Sequence, residues 1–320
     1  MDLLDKKILC ELDMNCRQTA SRIAKAVGSS RAVVGYRIAN FEKAGIINAY
    51  PTSINLGRLG YSTYKIYFKL FNLDEKAEKE FYNFMKAEKK VIHCLKTEGA
   101  FDVSAVVAVD SIKDLDDFLM LLKNRFSQII KDYQISIVVS SRIFKLSKIL
   151  FEKPAKEPKA EKYSGITEKI VIDDTDKAIL EAIADNARMP IVEIASKTGL
   201  SIDIVKYRMK KLVEQNVINS FRVILEMGKM GFYHYVILLK TRKASKEDED
   251  KIQRWAAMHP SLMYLTKRIG NWDYELNVAL KDIDDFNRFL ADMKRQFSPV
   301  IESYDTIMNT AIIKLKYLPF

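Results

Sequence analysis

The sequence predicts an α+β protein in which two winged helix-turn-helix domains and two ferredoxin-like domains of βαββαβ order alternate in tandem. Three observations support this fold class. The chain repeats itself, each repeat begins with short helices joined by a glycine turn, and each continues with alternating strand patterns separated by amphipathic helices.

The internal repeat emerges when the chain is aligned with itself at an offset of 171 residues, which matches Asp5 to about Tyr133 without a gap. The matched pairs include charged, aromatic and glycine positions: Asp5 with Asp176, Tyr36-Arg37 with Tyr207-Arg208, Gly28 with Gly199, and Gly99 with Gly270. Long segments rarely share such a pattern by accident, so one two-domain unit occurs twice.

The repeat sets the predicted domain boundaries. Residues 151–165 are rich in Lys, Glu, Ala and Pro and nearly lack apolar residues, which predicts an extended, solvated linker. The expected order is a winged helix-turn-helix domain (the first head), a ferredoxin-like domain, the linker, the second head and a second ferredoxin-like domain, at residues 1–58, 59–150, 151–170, 171–229 and 230–320.

Each head is predicted to hold three helices and a wing. In the first head, apolar residues at helical spacing indicate helices over residues 3–13 and 19–27. Gly28 supplies the turn, and Ser30 is a favourable N-cap for a third helix that reaches Gly45. The extended stretches at 46–56 and 217–227 each predict a wing hairpin of two short strands.

The outward face of the third helix is the predicted DNA-binding surface. With Val34, Ile38 and Phe41 buried, the helical wheel turns small, hydroxyl and basic residues outward, as suits a helix that enters the major groove. A packing module that binds nothing is the alternative. The candidate DNA contacts are Ser29, Ser30, Arg31, Tyr36, Arg37 and Lys43, and in the second head Ser201, Lys206, Tyr207, Arg208 and Lys210.

Arg37 and Arg208 have two interpretations. Both lie beside the buried stripe of the third helix, and both repeats keep an aspartate, Asp5 or Asp176, in the first helix. Each arginine can tie the third helix to the first through that carboxylate, or it can contact a DNA phosphate.

The two heads differ in charge. Residues 1–60 carry nine Lys/Arg against five Asp/Glu, whereas residues 171–231 carry nine of each. The outward faces differ too, since Ala32 and Lys43 are matched by Asp203 and Glu214. The heads are therefore expected to prefer different base steps, and an asymmetric DNA site is predicted.

The ferredoxin-like prediction rests on the order of periodic segments after Gly60. Strand-like alternation near 64–68, 91–96, 102–109 and 133–145 is interrupted by helical patterns at 74–87 and 113–127. Both helices are expected on one sheet face. The other face needs cover from another such sheet, supplied by the second repeat or by another chain.

The turns TEGAFD at 97–102 and RIGNWD at 268–273 are candidate effector sites. Backbone amides and an aspartate there can bind the carboxylate and ammonium of a small ligand, which makes Gly99, Asp102, Gly270 and Asp273 the candidates. Alternatively, the glycines only permit the turn and the aspartates cap it, and from the residues alone this structural role is favoured.

Composition excludes several classes of function. Three cysteines and three histidines without metal-ligand spacing predict reduced thiols and neither a metal site nor a cofactor. No apolar run approaches the ~20 residues that cross a bilayer, so a cytoplasmic protein without a membrane partner is expected. The net charge of +10 is compatible with a polyanionic partner but does not establish one.

The chain resembles the Lrp/AsnC (leucine-responsive, feast/famine) transcription regulators. The resemblance is carried twice, by LDKKIL, residues 21–47 and GAFD, and by TDKAIL, residues 192–218 and GNWD. It implies a head that reads double-stranded DNA, ferredoxin-like domains that pair sheet to sheet, and amino-acid-like effectors near the glycine-aspartate turns. Family members with one repeat form dimers, so this chain is expected to form an intramolecular pseudo-dimer that pairs further, or a homo-oligomer.

Two alternatives to a regulator remain. Siroheme decarboxylases are similar in plan and also occur as two-copy fusions, and His93-Cys94 occupies a position where they can have a histidine. The second repeat has Tyr264-Leu265 at the matching positions, so it lacks a histidine for acid-base catalysis there. The protein is therefore expected not to be an enzyme. A non-DNA amino-acid-sensing scaffold, whose heads only pack, is the other alternative.

Overall fold

The computed structural model describes residues 1–71, 74–154, 160–164 and 168–320. The first head begins with three helices and continues with two short strands: α1 (Leu3–Met14), α2 (Ala20–Val27), α3 (Arg31–Lys43), β1 (Ile47–Ala49) and β2 (Thr52–Ile54). Gly28 ends α2 in the left-handed conformation at φ 70°, and the Ser30 hydroxyl caps α3 by accepting from the Val33 N–H. These local signals place the helix-turn-helix as predicted.

The first ferredoxin-like domain has the predicted βαββαβ order. Its elements are β3 (Ser62–Leu70), α4 (Glu75–Ala87), β4 (Val91–Gly99), β5 (Val103–Val109), α5 (Ile112–Phe126) and β6 (Ile130–Phe144). A short helix and a strand follow, α6 (Ser147–Phe151) and β7 (Ala160–Ser164). The helices α4 and α5 cover the outer face of the sheet, where Phe81, Phe118 and Phe126 are buried.

The second repeat has the same element order. Its head consists of α7 (Asp174–Ile183), α8 (Ile191–Thr198), α9 (Ile202–Glu214), β8 (Ile218–Phe221), β9 (Ile224–Leu225) and a 3-10 turn at Met227–Met230. Its ferredoxin-like domain consists of β10 (Tyr233–Thr241), α10 (Lys246–Met258), β11 (Leu262–Ile269), β12 (Tyr274–Leu280), α11 (Ile283–Phe297) and β13 (Ile301–Leu315). Ser201 caps α9 just as Ser30 caps α3.

The wings differ from the prediction. Two short strands follow each third helix, but they do not pair as a hairpin within one repeat. Instead β1 pairs with β9 and β2 pairs with β8, so the two repeats exchange their wing strands. The predicted wing hairpin was therefore wrong in its pairing. Strand partners far apart in the chain are chosen by tertiary packing, which local alternation does not encode.

Exchange of the wings also joins the cores of the heads. Val223 and Leu225 of the second repeat are buried in the core of the first head. In return, Ile54, Leu56 and Leu59 are buried in the core of the second head. Neither head has a complete core of its own, so the predicted boundaries at 58 and 171 do not separate two independent cores.

The two ferredoxin-like sheets close into one barrel. Each keeps the expected strand order, and the sheets join edge to edge where β4 pairs with β13 and β6 pairs with β11. Eight strands thereby form a closed ring, with β7 added at the outside of β6. The second repeat therefore supplies the cover for the inner sheet face, which is the first of the two options left open by the sequence.

The linker departs from the expectation of a solvated segment. Residues 160–164 form β7, and the half-buried Glu161 accepts hydrogen bonds from the hydroxyls of Ser53 and Ser220, at 3.0 and 2.7 Å. A carboxylate with such partners is held rather than solvated. The linker residues 155–159 and 165–167 lie outside the described residues.

Candidate nucleic-acid interface and glycine-aspartate turns

The outward faces of α3 and α9 lie at the surface. Tyr36 is 69% exposed and the equivalent Tyr207 is 66% exposed, although tyrosine is a large residue that usually finds partial cover. The remaining residues of the two predicted faces are exposed as well, namely Ala32, Ala39 and Lys43 on α3 and Asp203, Lys206, Lys210 and Glu214 on α9. The opposite faces are buried, so the helical wheel was correct in both heads.

The leading ends of these helices carry the hydroxyl and basic candidates. Ser30 and Ser201 are exposed N-caps, Ser29 is half-buried and Arg31 is exposed. The first N–H groups of a helix face outward at such an end and favour an anion such as phosphate. The geometry therefore leaves both helix starts accessible to a DNA backbone.

Arg37 and Arg208 tie helices together. The Arg37 Nη1 donates to Asp2 Oδ2 and to Asp5 Oδ1, each at 2.6 Å, and these contacts hold α3 against α1. The side-chain hydrogen bonds with Asp2 and Asp5 raise the pKa of Arg37. Arg208 makes the same tie to Asp173 at 2.6 Å. The carboxylate pairing, one of the two interpretations, is therefore present in both heads.

The lysines of α9 have acidic neighbours on their own helix. Lys206 Nζ lies 3.5 Å from Asp203, and Lys210 Nζ lies 3.7 Å from Glu214. Among the residues that the structure describes, Arg31 and Lys43 of the first head form no ion pair. The positive potential of the second recognition face is therefore weaker than that of the first.

A reciprocal pair of arginines binds the heads to each other. The Arg188 Nη1 donates to the Cys16 carbonyl at 2.7 Å, and Arg17 donates to the Met189 carbonyl at 3.1 Å. Each guanidinium thus crosses from one head to the other. The alignment of Arg17 with Arg188 was visible in the sequence, but nothing local indicated that their partners lie in the opposite repeat.

The turn glycines lie at the two seams of the barrel, where β4 pairs with β13 and β6 pairs with β11. Gly99 ends β4 with φ +116°, and a Cβ there would lie 2.6 Å from the carbonyl oxygen of Thr306 on β13. Gly270 directly follows β11 with φ +146°, and its Cβ would lie 2.9 Å from the carbonyl oxygen of Ile135 on β6. Both glycines therefore permit the close backbone approach that closes the barrel.

The turn aspartates bind the neighbouring strand. Asp102 Oδ2 accepts from the Leu70 N–H at 2.7 Å, and Asp102 Oδ1 accepts from Lys69 Nζ at 3.1 Å. Asp273 Oδ2 likewise accepts from the Thr241 N–H at 2.7 Å and from its hydroxyl at 2.8 Å. These contacts are structural, but each aspartate binds the end of the neighbouring strand rather than capping its own turn.

The aromatic residue of each turn fills the barrel. Phe101 and Trp272 occupy matching positions in the two repeats, and their rings lie 5.5 Å apart at an interplanar angle of 87°. Tyr67 contacts both, at 5.4 and 5.3 Å. Sequence reasoning missed this role of the two aromatic residues, because their contact depends on barrel closure.

The histidines and cysteines are partly or fully buried. Burial raises the pKa of Cys10, Cys16 and Cys94 to about 12, so each thiol stays protonated at neutral pH. Burial also lowers the pKa of His93 to about 4. Within the described ranges, no group of three or more His, Cys, Asp or Glu side chains is arranged to hold a metal ion, and no helix is long and apolar enough to cross a membrane.

Comparison with known proteins places the sequence among DNA-binding regulators. The winged helix-turn-helix DNA-binding family matches residues 1–48 and 172–219. The proline dehydrogenase transcriptional activator of Rhizobium radiobacter is 30% identical over 145 residues, which are 44% of this chain and 86% of that protein. The transcriptional regulator AzlB of Bacillus subtilis is 28% identical over 144 residues, 44% of this chain and 91% of its own length.

A solved structure matches the two-repeat architecture as a whole. The siroheme decarboxylase NirDL aligns with a TM-score of 0.66 over 99% of this chain and 94% of its own, at 17% sequence identity. At that identity the likeness concerns the fold alone. The two regulators named above match the sequence over about one repeat, whereas the decarboxylase structure matches the arrangement of both repeats.

Proposed function

The chain belongs to the Lrp/AsnC family of sequence-specific DNA-binding transcription regulators, and from that premise we propose that its two heads read one composite site on double-stranded DNA. One observation carries this proposal: the exposed faces of α3 and α9 are presented by a single pair of heads whose wing strands are exchanged. A fixed pair of recognition helices suits two neighbouring half-sites.

The candidate contacts take different roles in this proposal. Tyr36 and Tyr207 are exposed near the middle of the recognition helices and are assigned to the base edges. Arg31 and Lys43 are assigned to phosphates, together with the caps Ser30 and Ser201 and the neighbouring Ser29. Lys206 and Lys210 make weaker phosphate contacts. Arg37 and Arg208 orient the recognition helices through their carboxylate ties.

Selection from random DNA sequences tests the proposal. With the purified full chain we expect an asymmetric site, because the two recognition faces present different side chains. Tyr36→Ala should relax the preference in one half of the site and Tyr207→Ala in the other. Recovery of a perfectly palindromic site would contradict the proposal. Failure to bind any DNA duplex at moderate salt would also contradict it and would favour the scaffold alternative.

We also propose that an amino-acid-like effector acts through the glycine-aspartate turns. The support is a lysine of the neighbouring strand paired with the aspartate of each turn, Lys69 with Asp102 and Lys240 with Asp273, at 3.1 and 3.5 Å and partly exposed. An amino acid carries both complementary charges. Repeating the DNA-binding measurement with a panel of amino acids tests for a response.

A siroheme decarboxylase-like activity is the alternative, and the chain's own residues give it little support. The proposed regulator requires no catalytic step. Burial and the nearby Lys65 lower the pKa of His93 to about 4, so this histidine is neutral at pH 7 and a weak base. We expect siroheme titration to leave the absorbance spectrum of the cofactor unchanged. A saturable spectral shift that Ala substitution of His93 abolishes would favour the enzyme.

A further inference from the structure

The interior of the barrel contains a buried charge cluster to which both repeats contribute. Glu275 on β12 accepts hydrogen bonds from Arg268 at 2.5 Å and from the Tyr67 hydroxyl, and Lys65 Nζ lies 3.8 Å from its other oxygen. Asn277 donates to that same oxygen at 2.9 Å. Burial alone would raise the pKa of Glu275, but the two cations outweigh it and lower the value to about 2.

The positions equivalent to the cluster do not carry its charges. The offset of 171 residues matches Lys65 and Tyr67 with Val236 and Leu238, which are buried in the apolar part of the barrel interior. Arg268 and Glu275 likewise match the uncharged Thr97 and Ser104. Within the part of the chain that the structure describes, the first repeat therefore supplies a buried lysine whose one carboxylate partner, Glu275, belongs to the second repeat.

A second buried ion pair between the repeats lies at the exchanged wings. Asp13 Oδ1 at the end of α1 lies 2.9 Å from Arg222 Nη2, and both side chains are largely buried. Arg222 also lies 3.3 Å from Glu161 of the linker strand. The equivalent positions are again uncharged, since Asp13 matches Ala184 and Arg222 matches Pro51.

We infer that these two ion pairs make unlike repeats the required partners, so that every barrel and every pair of heads contains one copy of each repeat. Pairing two first repeats would bury two copies of Lys65 opposite serine and two of Asp13 opposite proline. Removal of one partner from a buried ion pair is strongly destabilising, because the remaining charge is buried without compensation. Pairing two second repeats would leave Arg222 buried opposite alanine, without a carboxylate partner.

The inference has a consequence for DNA that rests on the proposed function. If each pair of heads always combines α3 with α9, the DNA-reading unit is asymmetric even when several copies of the chain assemble. The pairing rule itself does not depend on DNA binding, so it is tested without DNA. Failure of either proposal therefore leaves the other intact.

The test uses two full-length chains with reciprocal charge reversals. One carries Asp13→Arg, Lys65→Glu and Glu161→Lys on the side of the first repeat, and the other carries Arg222→Asp, Arg268→Glu and Glu275→Lys in its second repeat, so that the close neighbours Glu161 and Arg268 are reversed together with the ion pairs. Each chain alone brings like charges together. Mixed, they restore both ion pairs by exchanging repeats, because the altered first repeat then meets the altered second repeat.

A seam cysteine in each chain reports the exchange. Leu95 and Ile312 are register partners across β4 and β13, so Leu95→Cys is placed in the first chain and Ile312→Cys in the second. After refolding together from denaturant, we expect at least tenfold more disulfide-linked heterodimer than from matched chains that carry the cysteines without the reversals. The matched chains close on themselves, because their own repeats are covalently linked at high effective concentration.

Cross-linking within twofold of the matched control would overturn the inference, since the reversed chains would then close on themselves despite their like charges. Reversals inside the barrel can prevent folding, so a second chain pair carries only the wing reversals, Asp13→Arg with Glu161→Lys in one chain and Arg222→Asp in the other. Aggregation of both mixtures would also overturn the inference, because complementary charges would then not suffice for pairing. Chains without the added cysteines give the background from Cys10, Cys16 and Cys94.

Discussion

The lysines of the second recognition helix show how a neighbouring side chain changes what a cation can do. Lys206 and Lys210 have the type and exposure of phosphate ligands, yet each has a carboxylate one turn away, at 3.5 and 3.7 Å. Contact with a phosphate must displace that neighbour. Exposed pairs contribute little to stability, but they reduce the local positive potential.

We therefore expect unequal salt dependence from the two heads. The double substitution of Arg31 and Lys43 by Gln should reduce the slope of log K against log salt by about 2, since each phosphate contact contributes roughly 0.9. The same double substitution of Lys206 and Lys210 should reduce it by less than about 1. DNA-binding titrations at several salt concentrations measure both slopes, and equal reductions would contradict the asymmetry.

At the scale of elements, the seams of the barrel explain the turn glycines. The strand ends at Gly99 and Gly270 pass so close to β13 and β6 that a Cβ would meet a backbone carbonyl. Backbone atoms cannot rotate away as a flexible side chain can. Substitution there adds steric overlap to the strain of a positive φ.

Gly99→Ala is accordingly expected to lower the free energy of unfolding by about 2–5 kcal/mol, from about 1–2 of backbone strain and about 1–3 of overpacking. Gly231→Ala is the matched control, because Gly231 also has a positive φ, at +80°, but its Cβ would meet no atom within 4 Å. Chemical denaturation of both variants provides the comparison. An equal loss at the two sites would show that only the φ angle matters.

At the scale of the whole molecule, the two repeats are joined in two places. The exchanged wings bury side chains such as Leu225 and Ile54 in the opposite head. Each fully buried aliphatic side chain contributes about 1.5–3 kcal/mol. The closed barrel joins the repeats a second time, so neither repeat retains its full core without the other.

This connection predicts one cooperative unfolding transition. Fluorescence reports the second ferredoxin-like domain, which contains Trp255 and Trp272, whereas far-ultraviolet circular dichroism reports the helices of both heads as well. The two denaturation curves should coincide. Separate midpoints would mean that the heads unfold independently of the barrel.

The sequence by itself determined the features that depend on near neighbours along the chain. Helical periodicity and the caps Ser30 and Ser201 gave the recognition helices and their exposed faces. Strand alternation gave the βαββαβ order, and the offset of 171 residues gave the repeat. In each case the signal lies either within a few neighbouring residues or in the similarity between the two repeats.

Only the tertiary structure decided which distant segments meet. The exchange of wings, the closure of the barrel and the pairing of Asp13 with Arg222 each join residues of different repeats. The alternation of a strand states which face is apolar, but it does not state which strand becomes its neighbour. The residues alone favoured a structural role for Gly99 over a ligand site, but its close approach to the Thr306 carbonyl on β13 exists only in the closed barrel.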